Sequence, residues 1–187
     1  LPTINILPVM VIRSKEFQKN KQNVVEAVIQ FAEDNLLAIR SSSSMEDTLG
    51  YSNAGKFETL LNVLPEYNAI SKAIEKVYQS YHTDVDEEIL IQPMLNNIKK
   101  SGVVFTVDMD TFADYYIVNF YEGDDSSVVT SGNSNKLRTF VHYKYSEFSI
   151  YDMDMNSLIN VCKKIEKFTG NGALDIEFAI NKEGKIF

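Results

Sequence analysis

Apolar residues recur at two different spacings along this chain. Val9-Met10-Val11-Ile12 is a strand-like run. From Ser14 and Glu16 the pattern turns helical, with Val24, Val25, Val28, Phe31 and Ala32 on one stripe up to about Asp34. Leu36-Leu37-Ala38-Ile39-Arg40 is short and apolar enough for a buried strand, and it stops at four consecutive serines. Residues 41–56 are small, polar and glycine-containing, the composition of a loop. Pro65 opens a second helix in its first turn, and Ile70, Ala73, Ile74, Val77, Tyr78 and Tyr81 fit a helical stripe.

After His82 the period becomes that of strands. Residues 88–92, 102–107, 115–120, 127–130 and 139–143 are five strand candidates separated by turn residues, and such serial strands favour antiparallel meander pairing. A third helix carries Leu158, Val161, Cys162, Ile165 and Phe168 on its stripe, with Gly170 as its stop. A last strand runs over residues 173–180 into a turn at Asn181-Lys182-Glu183-Gly184. The expected class is α+β, with a helix-rich lobe over residues 1–85 and a sheet-rich lobe over residues 86–187.

Composition narrows the setting. The chain has 187 residues and 44% hydrophobic positions, with 11 Phe and 10 Tyr, enough for a packed core. Its 18 Lys and Arg against 26 Asp and Glu give a formal charge of −8, which argues against general nucleic-acid binding. No apolar run is long enough to span a membrane and no signal-peptide pattern opens the chain. One cysteine excludes an internal disulfide framework, so a reducing, cytoplasmic setting is expected. The absent initial Met, and an end at Gly184-Lys185-Ile186-Phe187 that reads as mid-hairpin, are the marks expected of a piece truncated at its C-terminus.

Three segments could carry chemistry. Arg40 ends an apolar strand and is followed by four serines and Glu46-Asp47, with Ala54-Gly55-Lys56 further on. Backbone amides, hydroxyls, a guanidinium fork and a Lys can together cradle phosphate, although the spacing matches no Walker A loop and a plain serine loop fits equally. In Asp175-Ile176-Glu177-Phe178-Ala179-Ile180 the strand period puts Asp175, Glu177 and Ala179 on one face. Paired carboxylates suit Mg²⁺, but by itself this segment reads more simply as a solvated strand face. Ile89-Leu90-Ile91-Gln92-Pro93-Met94 ends a strand beside an apolar wall, as an adenine edge requires, and a core strand running into a loop is the plainer reading. His82 and His142 have no ligand-spaced partners, and Cys162 on a helix stripe reads as an inert core thiol.

Taken in order, these segments resemble a family. Residues 37–47 (Leu-Ala-Ile-Arg-Ser-Ser-Ser-Ser-Met-Glu-Asp) with Asn53-Ala54-Gly55-Lys56-Phe57-Glu58-Thr59-Leu60-Leu61-Asn62-Val63 are similar to the nucleotide-binding domain of phosphoenolpyruvate synthase and pyruvate phosphate dikinase. Ile91-Gln92-Pro93-Met94, then Ser101-Gly102-Val103-Val104-Phe105-Thr106-Val107-Asp108, then residues 175–180 follow in the family's order. The resemblance implies an ATP-grasp fold, two α+β lobes with mixed or antiparallel sheets flanked by helices and ATP between them. It implies cleavage of Mg·ATP and transfer of a phosphoryl group to a histidine on a separate phosphocarrier domain, in the same or a partner chain. Arg40 would contact the phosphates and stabilise the transferring charge. Gly55, Lys56 and Thr59 would line the phosphate-covering loop, and Gln92 and Met94 the adenine pocket. Glu177 would hold Mg²⁺, with Asp175 supporting the metal or the phosphates.

Departures from the family are specific. Nothing matches its N-terminal Gly-Gly-Lys-Gly segment, and its Gly-rich stretch after the middle strands is replaced by Tyr121-Glu122-Gly123-Asp124-Asp125-Ser126. The strand that brings the family's final Gln and Arg would follow Phe187. Two alternatives therefore stand beside the phosphotransferase: a non-catalytic nucleotide-binding or regulatory module, and an ATP-grasp ligase joining a carboxylate to an amine.

Overall fold

A computed structural model describes residues 4–42, 58–81, 86–123 and 137–187. The chain divides into two compact units, residues 7–94 and residues 1–6 with 95–187. Each unit has its own four-stranded sheet, and every strand pairing within the two sheets is antiparallel.

The first unit contains β1 (Met10–Arg13), α1 (Ser14–Lys19), α2 (Lys21–Ala32), β2 (Leu37–Ser42), β3 (Thr59–Val63), α3 (Tyr67–Ser80) and β4 (Glu88–Pro93), with sheet order β1-β4-β2-β3. The first helical stretch is broken at Asn20, whose φ of −132° lies outside the helical region, so it forms two helices in place of the single one its period suggests. Pro65 stands before the cap residue Glu66 and not in the first helical turn. Alternation along β2 buries Leu37, Ile39 and Ser41, and along β4 it buries Ile89 and Ile91. Leu37, Ile39, Ile89 and Ile91 meet Val25, Val28, Ile70, Ile74 and Val77 of α2 and α3 in one apolar core.

β3 has no counterpart among the strands expected from hydrophobic period. Its pattern is interrupted by an extra residue: Leu37 faces Val63 while Ile39 faces Leu60, and Asn62 takes φ +57°. A bulge of this kind hides a strand from a period-two count.

The second unit contains β5 (Ile98–Phe105), β6 (Tyr115–Glu122), β7 (Arg138–Tyr143), α4 (Met153–Thr169) and β8 (Asp175–Asn181), with sheet order β7-β6-β5-β8. Here the expected meander appears as β5-β6-β7. The strand at residues 88–92, expected in the same meander, instead joins β1 and β2, so the division falls after Met94 and not near residue 85. The strand expected at residues 127–130 lies outside the described residues.

α4 covers one face of this sheet. Met155, Leu158, Ile159 and Cys162 pack against Val104, Tyr116, Val118, Phe120, Phe178 and Ile180. Asp152 caps the helix by accepting from the N–H groups of Asp154 and Met155, and Gly170 ends it with φ +67°. Phe168, expected on the apolar stripe, is 92% exposed, because the helix's contacts with the core run only from Met155 to Ile165. Gly102 is required by space: a Cβ there would stand 2.1 Å from the Asn119 carbonyl oxygen. Among the described residues no helix is long and apolar enough to cross a membrane.

Candidate functional site

Among the described residues, helices pack on one face of each sheet, and Arg40, Thr59, Gln92, Asp175 and Glu177 fall on the other faces. In the first unit, Arg40 faces Leu90 on one side and Thr59 on the other, and Gln92 faces Ala38. Laterally paired residues of a sheet share a face. Arg40, Thr59 and Gln92 therefore stand together, opposite the face that Leu37, Ile39, Ile89 and Ile91 turn toward α2 and α3. Arg40 and Gln92 are half-buried and Thr59 is exposed. Met94, also half-buried, continues the ladder past β4 by donating its N–H to the Leu36 carbonyl at 2.7 Å.

Gly55 and Lys56, with Ser43, Ser44, Glu46 and Asp47, lie outside the described residues. The residues on either side of that stretch are held by the end of α3. The buried Tyr81 hydroxyl accepts from the Ser42 N–H at 3.3 Å and donates to the Glu88 carbonyl. Ser80 Oγ accepts from the Glu58 N–H at 3.3 Å. Hydrophobic period alone marks Tyr81 as a helix-face residue and hides this second role.

In the second unit Asp175 and Glu177 are both exposed on the open face of β8, while Phe178 and Ile180 are buried beneath α4. The period-two reading of this strand is observed in the pairing: Asp175 faces Phe105 and Glu177 faces Val103. Burial, and then the charge of Glu177, push the Asp175 carboxyl above the ordinary carboxylate range. Two carboxylates in adjacent same-face positions form a hard-oxygen donor set whose mutual repulsion a divalent cation would relieve. Among the described residues no group of three or more His, Cys, Asp or Glu is arranged to hold a metal ion. A metal held by this pair would have to complete its shell with phosphate oxygens and water.

The same open face carries Val103 and Phe105 of β5, Ile117 and Asn119 of β6, and Thr139 and Val141 of β7. Thr139 Oγ1 donates to Asn119 Oδ1 at 2.7 Å. None of these was singled out from sequence, because each needs the cross-strand register to be placed beside the carboxylates. Cys162 is fully buried and its thiol is pushed up to about 12 by burial, an unreactive core thiol as its helical position suggests.

In this second unit the side chains of Lys100 and Lys144 are largely buried. Lys100 reaches Asp152 at 2.9 Å, Asp154 at 3.0 Å and Glu122 at 3.7 Å with only 5% of its side chain exposed. Burial works against the charge, but hydrogen bonds to Asp152 and Asp154 outweigh it and hold the ammonium above its ordinary pKa. Lys144 donates to Glu166 at 2.5 Å, and Glu166 also accepts from the Tyr116 hydroxyl at 2.5 Å.

Comparison at the level of families matches residues 9–141 to the AMP/ATP-binding domain of pyruvate phosphate dikinase, and the chain belongs to this family. Comparison with curated proteins finds no match. Among solved structures, the chain is similar to D-alanine–D-alanine ligase from Helicobacter pylori at 13% identity and a TM-score of 0.56, covering 98% of this chain and 47% of that one. It is also similar to D-alanyl-alanine synthetase A from Vibrio cholerae O1 biovar eltor str. N16961 at 11% identity and a TM-score of 0.51, covering 98% and 49%. At such identities the likeness establishes the ATP-grasp fold, and the chain spans about half the length of these structures. The fold defines the chain as an ATP-grasp domain, and the particular family is the AMP/ATP-binding domain of pyruvate phosphate dikinase.

Proposed function

We propose that this domain binds Mg·ATP and cleaves it, passing a phosphoryl group to a histidine carried by a separate phosphocarrier domain, in the same or a partner chain. The observation that carries the reading is the strand register within an AMP/ATP-binding family: it sets Arg40, Thr59 and Gln92 on one face of the first unit's sheet, and Asp175 and Glu177 on one face of the second unit's sheet. Arg40 binds phosphate oxygens through a bidentate fork and stabilises the charge that spreads over the transferring group. Thr59, its cross-strand neighbour, adds a hydroxyl to the same face, and Gly55 and Lys56 line the phosphate-covering loop. Gln92 and Met94 border the adenine, the first through its amide and the second through a polarisable apolar wall. Glu177 would hold Mg²⁺ and Asp175 would support it. A metal bound there would neutralise phosphate charge. A single cysteine and the use of ATP support a cytoplasmic setting.

Calorimetric titration with ATP in the presence of Mg²⁺ tests the reading. Replacing Arg40 by Ala removes charge-assisted hydrogen bonds and is expected to weaken ATP binding by about 10- to 100-fold. Glu177→Ala is expected to abolish the dependence of binding on the metal. With the phosphocarrier domain supplied, radiolabelled ATP should charge its histidine with one phosphoryl group and release AMP and phosphate, water taking up the phosphoryl group freed when the second phosphoanhydride bond breaks. Absence of nucleotide binding with both Mg²⁺ and Mn²⁺ overturns the proposal.

A further inference from the structure

Thr106 is fully buried at the end of β5, immediately after Phe105, the cross-strand partner of Asp175. Its hydroxyl spends both of its capacities on one short segment. Oγ1 donates to the Gly172 carbonyl at 2.9 Å and accepts from the Leu174 N–H at 2.8 Å. The Thr106 backbone N–H adds a third bond, to the Leu174 carbonyl at 2.9 Å. The peptide groups on both sides of Leu174, the residue directly before Asp175, are therefore held by Thr106. Lys144 binds the same Gly172 carbonyl at 3.2 Å while its ammonium is secured by Glu166 and lies 5.0 Å from the Tyr116 ring centre.

This arrangement meets a need that the carboxylates create. Asp175 opens its strand, where the ladder has just begun, and Glu177 repels it from two positions on. A strand end under that repulsion tends to rotate or fray unless the preceding residues are tied down. A buried hydroxyl, with one donor and free lone pairs, joins Gly172 O to Leu174 N–H through a single atom. We propose that Thr106, assisted by Lys144, is a positioning residue that sets the Asp175 and Glu177 carboxylates in register for a divalent cation. The assignment rests on the Mg·ATP reading and adds to it a residue that touches neither nucleotide nor metal.

The test compares wild type, Thr106→Val and Thr106→Ser in calorimetric titrations with ATP, once with Mn²⁺ and once with the metal chelated. Thr106→Val keeps the buried volume and removes both side-chain bonds. It is expected to weaken Mn²⁺-dependent ATP binding by about tenfold, as loss of supporting hydrogen bonds does at metal sites, while metal-free binding changes by less than about twofold. Thr106→Ser restores the hydroxyl and should return the Mn²⁺-dependent affinity to within about threefold of wild type. Amide hydrogen exchange at Leu174, read without nucleotide, should quicken in Thr106→Val and not in Thr106→Ser. Wild-type metal dependence in Thr106→Val, an equal loss with and without metal, or failure of Ser to rescue overturns the assignment while leaving the Mg·ATP reading intact. A wild-type protein that binds no nucleotide with Mn²⁺ overturns that underlying reading, and this assignment with it.

Discussion

The two sheets have the same strand number and antiparallel pairing, yet they are held by different physics. In the first unit, helices and strands meet through an apolar cluster that runs from Ile12 to Ile91. Its ion pairs, such as Lys21–Glu75 and Lys76–Glu58, join half-exposed side chains and contribute little. The second unit adds buried charges to its apolar core: Lys100 ties β5 to the capping turn of α4, and Lys144 ties the end of β7 to Glu166 near the end of the same helix. Apolar packing is indifferent to direction and tolerant of small shifts, whereas a buried ion pair holds only in a narrow geometry. The charge-clamped sheet is also the one that must hold two mutually repelling carboxylates in place.

This contrast can be broken at three points, beginning with the largest effect. Ile39 is fully buried in the apolar core, so Ile39→Ala should cost about 3–4 kcal/mol by lost transfer energy and a cavity. Denaturant unfolding should return the same loss at pH 5 and pH 8, since no titrating group is involved. A strong pH dependence would show that charge matters in the first unit as well.

Lys100→Ala should cost about 2 kcal/mol near neutral pH, below the usual range for a broken buried pair because Asp152 is 44% exposed and its charge is screened. This loss should depend on pH, in contrast to that of Ile39→Ala. Burial opposes ionisation of Asp152 and Asp154, but hydrogen bonds, to Lys100 for Asp152 and to Lys99 and Lys100 for Asp154, hold both carboxyls below their ordinary range. A carboxylate with a depressed folded pKa adds stability above its unfolded value of about 4, and that stability is lost as pH falls through the folded value. The gap between wild type and Lys100→Ala should therefore close below about pH 4. A gap that stays constant from pH 3 to pH 8 would reduce the cluster to ordinary packing.

Asp175→Asn should have the smallest effect and the opposite sign. The Asp175 carboxyl is raised, first by burial and then by Glu177, so its ionisation disfavours the folded state once pH rises through the raised value. Without metal, the Asn variant should melt about 1–2 °C higher at pH 7, and the advantage should vanish below about pH 4. The same variant should bind Mg·ATP more weakly. A lower melting temperature at pH 7 would mean that Asp175 stabilises the strand without metal and that the pair is not poised for a cation.

Much of this could be read along the chain, and the exceptions share a cause. The β2 strand, the α3 stripe and the alternation that exposes Asp175 and Glu177 follow from local period, because each side chain's burial is decided by its own strand or helix. Lys99-Lys100 reads as a polar break, and the expected strand starts at Gly102. In the structure β5 begins at Ile98, since Lys100 finds its counter-charges 52 and 54 residues later. β3 was hidden by its bulge, and residues 88–92 were assigned to the wrong sheet because a strand's own period does not identify its partner. On the candidate site, Arg40, Gln92, Asp175 and Glu177 stood out by residue type and motif order. Thr59 stood out by motif order alone, as part of a phosphate-covering loop, and its pairing at the start of β3 sets it opposite Arg40.

By itself the sequence determined the family and the α+β class, and it supplied the residues proposed for phosphate and metal, because motifs and hydrophobic periods are local properties of the chain. The tertiary structure decided which strands share a sheet, which candidate residues share a face, and that Thr106 and Lys144 grip the segment ahead of the carboxylates. Those outcomes depend on hydrogen bonds and ion pairs between residues tens of positions apart, such as Thr106 with Gly172 and Lys144 with Glu166, and no local pattern encodes them.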